Sequence, residues 1–89
     1  MEKARDLILV IAKALVDTPE QVSVKVRNMG NTVVFELTVP KEDIGKVIGK
    51  QGKIADAVRS LLGVRGGKTG KNLELEIMDQ NWPHAFQRH

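Results

Sequence analysis

Residues 44–55 read Ile-Gly-Lys-Val-Ile-Gly-Lys-Gln-Gly-Lys-Ile-Ala, and they hold the most informative pattern in the chain. The apolar spacing on either side predicts a short helix over residues 41–48 and a clearer one over residues 53–62. The turn between them has the form G-x-x-G. Its glycines remove the side chains that would keep a phosphate chain away from the backbone. The second glycine also begins a helix, whose unpaired N–H groups attract anions.

Lysines surround this turn, and apolar residues lie beside it. The candidates for attracting phosphates are Lys46, Lys50 and Lys53. The candidates for an apolar floor under nucleic-acid bases are Ile44, Ile48 and Ile54. A cationic, glycine-walled edge beside an apolar floor suits a strand whose backbone is gripped while its bases lie inward. A G-x-x-G turn also occurs in helical hairpins that bind nothing, so the surrounding element order has to carry the argument.

The N-terminal half predicts a helix followed by a β-hairpin. Apolar residues at three-and-four spacing over residues 4–16 indicate an amphipathic helix, and further apolar residues leave it only a narrow wetted side. Pro19 cannot continue that helix. Residues 22–27 and 32–39 alternate apolar and polar side chains as half-buried strands do, and residues 28–31 supply the turn between them.

After the G-x-x-G turn, glycines are expected to end the second helix early. Gly63, Gly66 and Gly67 predict a flexible basic loop over residues 63–71, followed by a third strand over residues 73–77. The order α-β-β-α-α-β predicts a two-layer α+β domain. Its three-stranded mixed sheet has the second strand in the centre and three helices on one face. We assign residues 1–79 to this domain and residues 80–89 to a tail that lacks periodicity.

Composition limits the remaining possibilities. The chain has 89 residues, enough for one marginally stable domain, and it has no cysteine for disulfides or thiolate metal sites. Neither a secretory signal nor an apolar run of about 20 residues is present, so we expect a soluble, intracellular protein. Residues 41–71 carry eight Lys or Arg against three Asp or Glu, whereas residues 1–40 are balanced. Such a basic stretch suits either a polyanion or a solvated surface.

Residues 47–59, Val-Ile-Gly-Lys-Gln-Gly-Lys-Ile-Ala-Asp-Ala-Val-Arg, resemble the core motif of KH domains, and the element order resembles the type II (prokaryotic) topology. The likeness covers residues 7–79 and is nearest to small bacterial proteins that are essentially one KH domain. Two departures are Ala55, where many KH domains have isoleucine, and glycines over 63–67, where relatives often have alanine.

The resemblance implies binding of single-stranded RNA, with the G-x-x-G loop gripping the backbone of about four nucleotides. The implied RNA-binding residues are Gly49, Lys50, Gln51, Gly52, Lys46, Lys53, Ile44, Ile48, Ile54 and Arg59. Strand residues 34–39 are expected to form the far wall of the groove. The resemblance also implies a cytoplasmic protein that forms a homodimer or pairs with a larger KH-containing partner. Linked roles are RNA chaperoning and control of cell elongation and envelope synthesis.

Other functions have less support from the residues. Gly67-Lys68-Thr69 resembles the end of a P-loop, but the motif needs a glycine where Leu62 stands. No nucleophile–base–orienter set emerges, so we expect no enzyme, cofactor, metal or small-molecule substrate.

RRM and OB modules need aromatic platforms, whereas Phe35 lies on an apolar strand face. Trp82 in the tail could dock on the first helix, stack on RNA or belong to a disordered segment. The main alternative is a KH fold that serves protein–protein contact or dimerisation.

Overall fold

The computed structural model describes residues 2–79 and 85–86, and the element order α-β-β-α-α-β is confirmed over the first range. The α-helices of the described part are α1 (Glu2–Leu15), α2 (Ile44–Ile48) and α3 (Lys53–Thr69). Its strands are β1 (Ser23–Met29), β2 (Thr32–Val39), β3 (Asn72–Asp79) and the two-residue β4 (Ala85–Phe86). Short 3-10 turns cover Pro19–Gln21, Lys41–Asp43 and Lys50–Gly52.

The sheet is mixed, and β2 lies at its centre. β1 pairs with β2 antiparallel, with Val24 opposite Leu37, while β3 pairs with β2 parallel, with Leu75 opposite Phe35. The predicted three-stranded sheet is therefore confirmed. β4 adds two antiparallel residues to the outer edge of β3, opposite Ile77 and Met78.

The hydrophobic core lies between one face of the sheet and the three helices. Alternate residues of β2 point into it, and Val33, Phe35 and Val39 are each 0% exposed. The helices contribute Ala4, Ile8, Ala12, Ile44, Val47, Ala55, Val58 and Leu62 to the same cluster. Period-two burial in the strand and three-and-four burial in the helices are the patterns from which the sequence predicted these elements.

Helix α1 exposes more apolar surface than its composition predicts. Ala4, Ile8 and Ala12 are buried, whereas Leu7 is 42% exposed and Val10 is 66% exposed. The expectation of a narrow wetted side is wrong because α1 is buried along one stripe only.

The predicted flexible loop over residues 63–71 is also wrong, because α3 continues through its glycines to Thr69. Gly70 then ends the helix in the left-handed conformation, and its N–H donates to the carbonyl of Gly66 at 2.8 Å. Packing explains the extra turns. Leu62 is buried in the core and Gly66 is buried close to Leu73 of β3, and this tertiary packing offsets the helix-propensity cost of glycine, about 1 kcal/mol per residue.

These glycines differ in what an added side chain would meet. A Cβ on Gly66 would lie 2.5 Å from the carbonyl oxygen of Lys71, whereas a Cβ on Gly63 would meet nothing within 4 Å. We therefore expect Gly66→Ala to destabilise the fold by about 1–3 kcal/mol. The matched Gly63→Ala should stabilise it by about 0.4–1 kcal/mol. Urea unfolding measures both changes, and equal shifts of the same sign would contradict this account of α3.

Candidate nucleic-acid interface

The loop from Gly49 to Gly52, here called the GKQG loop, joins α2 to α3 through an unusual backbone. Gly49 has a φ of 80°, Gln51 a φ of 55° and Gly52 a φ of 74°. Gln51 is the sole non-glycine residue with a positive φ in the described part of the chain. Holding a non-glycine residue in this left-handed region costs roughly 1–2 kcal/mol, and such strain is concentrated at functional sites.

Close packing explains why position 49 is glycine. A Cβ on Gly49 would lie 2.6–2.9 Å from three atoms of the Ile54 side chain. Ile54 belongs to the first turn of α3, so this contact fixes the loop against the helix that follows it. The backbone N–H of Gly49 also donates to the carbonyl of Gly45 at 2.9 Å, which closes the end of α2.

The outer side of the GKQG loop is cationic and accessible. Lys50, Gln51 and Lys53 are exposed, and neither lysine has an ion-pair partner among the described residues. Gly52 stands at the N-terminal end of α3 and offers no side chain to cap the first N–H groups of that helix. The positive end of the helix dipole and two lysines that have no ion-pair partner within residues 2–79 together favour an anion at this position.

The third predicted lysine, Lys46, has a different environment. Its ammonium group forms ion pairs with the carboxylates of Asp17 and Asp43, the latter at 3.2 Å. The hydrogen bonds to Asp17 and then to Asp43 raise the pKa of Lys46 above its usual value. Lys46 is thus paired with two carboxylates next to the C-terminal end of α1, unlike Lys50 and Lys53.

Asp43 is an important residue that sequence reasoning did not identify. Its side chain is 4% exposed, and its carboxylate accepts hydrogen bonds from Lys46 and from the Thr18 hydroxyl at 3.1 Å. Asp43 precedes α2, where an acid favours a helix N-terminus, but its side chain makes no capping hydrogen bond to α2. Thr18 is 25 residues away along the chain, so no local pattern could have predicted this contact.

The apolar candidates for a base groove are only partly accessible. Ile44 is 9% exposed and belongs to the core, whereas Ile48 and Ile54 are half-buried beside the GKQG loop. The expected far wall over residues 34–39 is wrong because β2 is the central strand, and its core-facing side chains, with Val34, are at most 3% exposed.

The outer edge of β3 is the edge that faces away from β2. Among the described residues this edge is paired only at Ile77 and Met78. Arg59 of α3 donates to the carbonyl of Leu75 at 3.3 Å and therefore lies where α3 meets this edge. Further along, a groove of about 480 Å³ runs between the glycines of α3 and residues 71–74. The residues that the sequence assigned to a flexible loop thus form one wall of a groove.

Other kinds of site find no support in the described ranges. No cluster of three potential metal ligands is present in residues 2–79, and no helix there is long and apolar enough to cross a membrane. The tail assigned to residues 80–89, including Trp82, lies outside the described residues apart from the backbone of β4.

Comparison with known proteins places this geometry in a family. The sequence model described as KhpA/KhpB, KH domain, matches residues 5–77. A Listeria monocytogenes protein named RNA-binding protein KhpA is 46% identical over 74 residues, which are 83% of this chain and 97% of the relative. The Aquifex aeolicus protein of the same name is 44% identical over 79 residues, which are 89% of this chain and 100% of the relative.

Solved structures share the fold at low identity. A crystal structure of Aquifex aeolicus Era bound to GDP·AlF4⁻ matches with a TM-score of 0.60 and 20% identity, covering 86% of this chain and 30% of that one. Era in complex with MgGDPNP and a segment of 16S ribosomal RNA matches with a TM-score of 0.57 and 19% identity, covering 85% and 29%. At these identities the likeness is evidence about the fold alone.

The packing of the GKQG loop can be tested with two glycine substitutions. Gly49→Ala forces a Cβ into Ile54 at a positive φ, so we expect a loss of about 1–3 kcal/mol in unfolding free energy. Gly45→Ala is the matched control, because it lies in α2 with nothing within 4 Å of an added Cβ. It should leave stability unchanged or raise it slightly. Equal stability of the two variants in urea would mean that Ile54 does not fix this loop.

Proposed function

The chain belongs to the KhpA/KhpB family of KH domains, and from that premise we propose that it binds single-stranded RNA through the GKQG loop. The clamp would grip the backbone of about four nucleotides, as KH loops do. The observation that carries this proposal is the loop itself, in which Lys50 and Lys53, exposed and without an ion-pair partner in the described part of the chain, lie on either side of Gly52 at the start of α3. Relatives that are 42–46% identical bear the name RNA-binding protein.

The loop suits phosphates for a specific physical reason. Gly52 places no side chain at the N-terminal end of α3, and Lys50 and Gln51 just before it are exposed. Lys50 and Lys53 add positive charge on the same side, and each phosphate they neutralise releases counterions from the RNA. The clamp therefore contributes affinity and position, while the choice of sequence rests with groups that meet the bases.

We place the bases along the junction of α3 and β3. Ile48 and Ile54 are half-buried beside the loop and offer apolar contact, and Arg59 lies further along against the edge of β3. Aromatic stacking contributes roughly 1–3 kcal/mol per base in other RNA-binding domains. Phe35 cannot supply it because it is fully buried. We therefore expect weak binding by one domain, with modest sequence preference.

In the cell we propose a cytoplasmic RNA chaperone or post-transcriptional regulator linked to cell elongation and envelope synthesis. This role rests on the family resemblance and not on any group in the site. Crosslinking in living cells followed by sequencing of the bound transcripts is the direct test. Recovery of transcripts with no enrichment over a clamp-deficient variant would count against it.

A second candidate function is protein association, favoured by exposed apolar residues on two neighbouring helices. Leu7 and Val10 on α1, with Leu61 and Val64 on α3, are between 42% and 66% exposed. Between Leu7 and Leu61 lies a shallow slot of about 140 Å³. A surface of this kind suits a homodimer or a contact with a larger KH-containing protein of the KhpB type. Association and RNA binding can coexist.

The clamp is tested by reversing its charge. We expect Lys50→Asp with Gln51→Asp to abolish binding to a short single-stranded RNA, because two carboxylates would face the phosphates. Gln21→Asp with Lys25→Asp is the matched control, since it makes the same charge change at exposed positions outside the GKQG loop. Fluorescence anisotropy measures binding, and circular dichroism verifies folding. Equal affinity of the clamp variant and the parent would show that the clamp assignment is wrong.

Association is tested on the apolar surface. We expect the parent to form dimers at high concentration and Val64→Asp to remain monomeric, because a carboxylate would be buried in the contact. Met29→Asp is the matched control, since Met29 is an apolar residue that is 57% exposed but lies in the hairpin. Sedimentation velocity reports the mass. A parent that stays monomeric at all concentrations would exclude a homodimer and leave the larger KH protein as the partner to examine.

A further inference from the structure

A polar cluster outside the GKQG loop ties the end of α1 to the start of α2. It consists of Asp17, Thr18, Asp43 and Lys46, and is called the α1–α2 cluster below. Asp43 is its buried centre and accepts hydrogen bonds from Thr18 at 3.1 Å and Lys46 at 3.2 Å. Asp17 is its outer member, with a side chain that is 81% exposed. Lys46 bridges the two carboxylates.

The two carboxylates differ in how easily Lys46 can leave them. Asp43 is almost fully buried, so removing the ammonium group would strand a negative charge where water cannot solvate it. Asp17 is exposed, so water can replace its partner at little cost. Lys46 therefore stays bound to Asp43, and Asp17 occupies the side of the ammonium group that Asp43 leaves open.

We propose that the ion pair with Asp43 gives Lys46 a structural role and that the second ion pair, with Asp17, prevents Lys46 from binding RNA. The phosphates of the RNA are then contacted by Lys50 and Lys53 alone. Asp17 thereby determines which lysines the RNA reaches, and Asp43 is a positioning residue for α2 and the GKQG loop. This inference rests on the proposed RNA binding and revises the assignment that the sequence suggested for Lys46.

The salt dependence of binding separates the lysines. Each phosphate contact contributes about one to the slope of log K against log salt, so Lys50→Met should lower the slope by about one. Lys46→Met should leave the slope unchanged and the affinity within about twofold. It should lower the melting temperature, because the buried carboxylate of Asp43 loses its cationic partner. If Lys46→Met lowers the slope as much as Lys50→Met does, Lys46 contacts RNA and the inference is wrong while RNA binding stands. If the parent does not bind, or Lys50→Met changes nothing, the proposed function fails instead.

The role of Asp17 is tested by measuring how far its effect on RNA binding depends on Lys46. Asp17→Asn should raise affinity about two- to fivefold at low salt and raise the slope by up to one, because Lys46 gains a free side for phosphate. In a Lys46→Met background the same change should have no such effect, since Asp17 acts through Lys46. Glu20→Gln controls for the loss of one exposed carboxylate. Equal gains from Asp17→Asn in both backgrounds, or from Glu20→Gln, would overturn the inference.

A measurement on the unaltered protein covers the case in which Lys46→Met fails to fold. Side-chain NMR signals of the lysines can be followed as a short single-stranded RNA is added. We expect shifts for Lys50 and Lys53 and none for Lys46. A shift of Lys46 as large as that of Lys50 would contradict the proposal.

Discussion

The parallel pairing of β2 with β3 is the constraint on which the rest of the structure depends. Two parallel neighbours cannot be joined by a tight turn, so the chain must leave the end of β2 and return across one face of the sheet to the start of β3. α2, the GKQG loop and α3 form this crossover. The loop is therefore the turn within this crossover, between the short α2 and the longer α3.

The same constraint explains which strand is accessible. β2 has a partner on both sides and helices over its core-facing residues, so Phe35 and Val39 have no exposed surface. β3 has β2 on one side and only the two residues of β4 on the other within the described ranges. In the proposed binding mode, a ligand that leaves the GKQG loop along α3 would meet the backbone of β3 and Arg59. The expected wall on β2 failed because the alternation of apolar residues identifies a strand but does not say which face its neighbours cover.

Much of the fold could be predicted from periodicity and turn residues, and the failures have physical causes. The glycines of α3 were expected to end the helix, but tertiary packing outweighs propensity differences of about 1 kcal/mol, because Leu62 is buried in the core and Gly66 lies close to Leu73 of β3. In the candidate site, Lys50 and Gln51 follow directly from the G-x-x-G spacing. The partners of Lys46 could not be predicted from the sequence, because Asp17 is 29 residues away and contacts Lys46 only in the tertiary fold. The sequence of a basic stretch shows how many charges it carries but not which of them are already neutralised by ion pairs in the fold.

Helix α3 also shows how one small domain can serve two kinds of partner. Residues two positions apart on a helix point in directions roughly 200° apart. Arg59 meets the edge of β3, so Leu61 must lie on the other flank, and it lines the slot beside Leu7 of α1. RNA held along the β3 flank and a protein held along the α1 flank would not compete for the same surface. Association through the apolar flank would leave both GKQG loops free, and two linked weak clamps bind one RNA more tightly than either does alone because the second contact becomes intramolecular. A domain without aromatic platforms in its described part thus has a physical reason to associate.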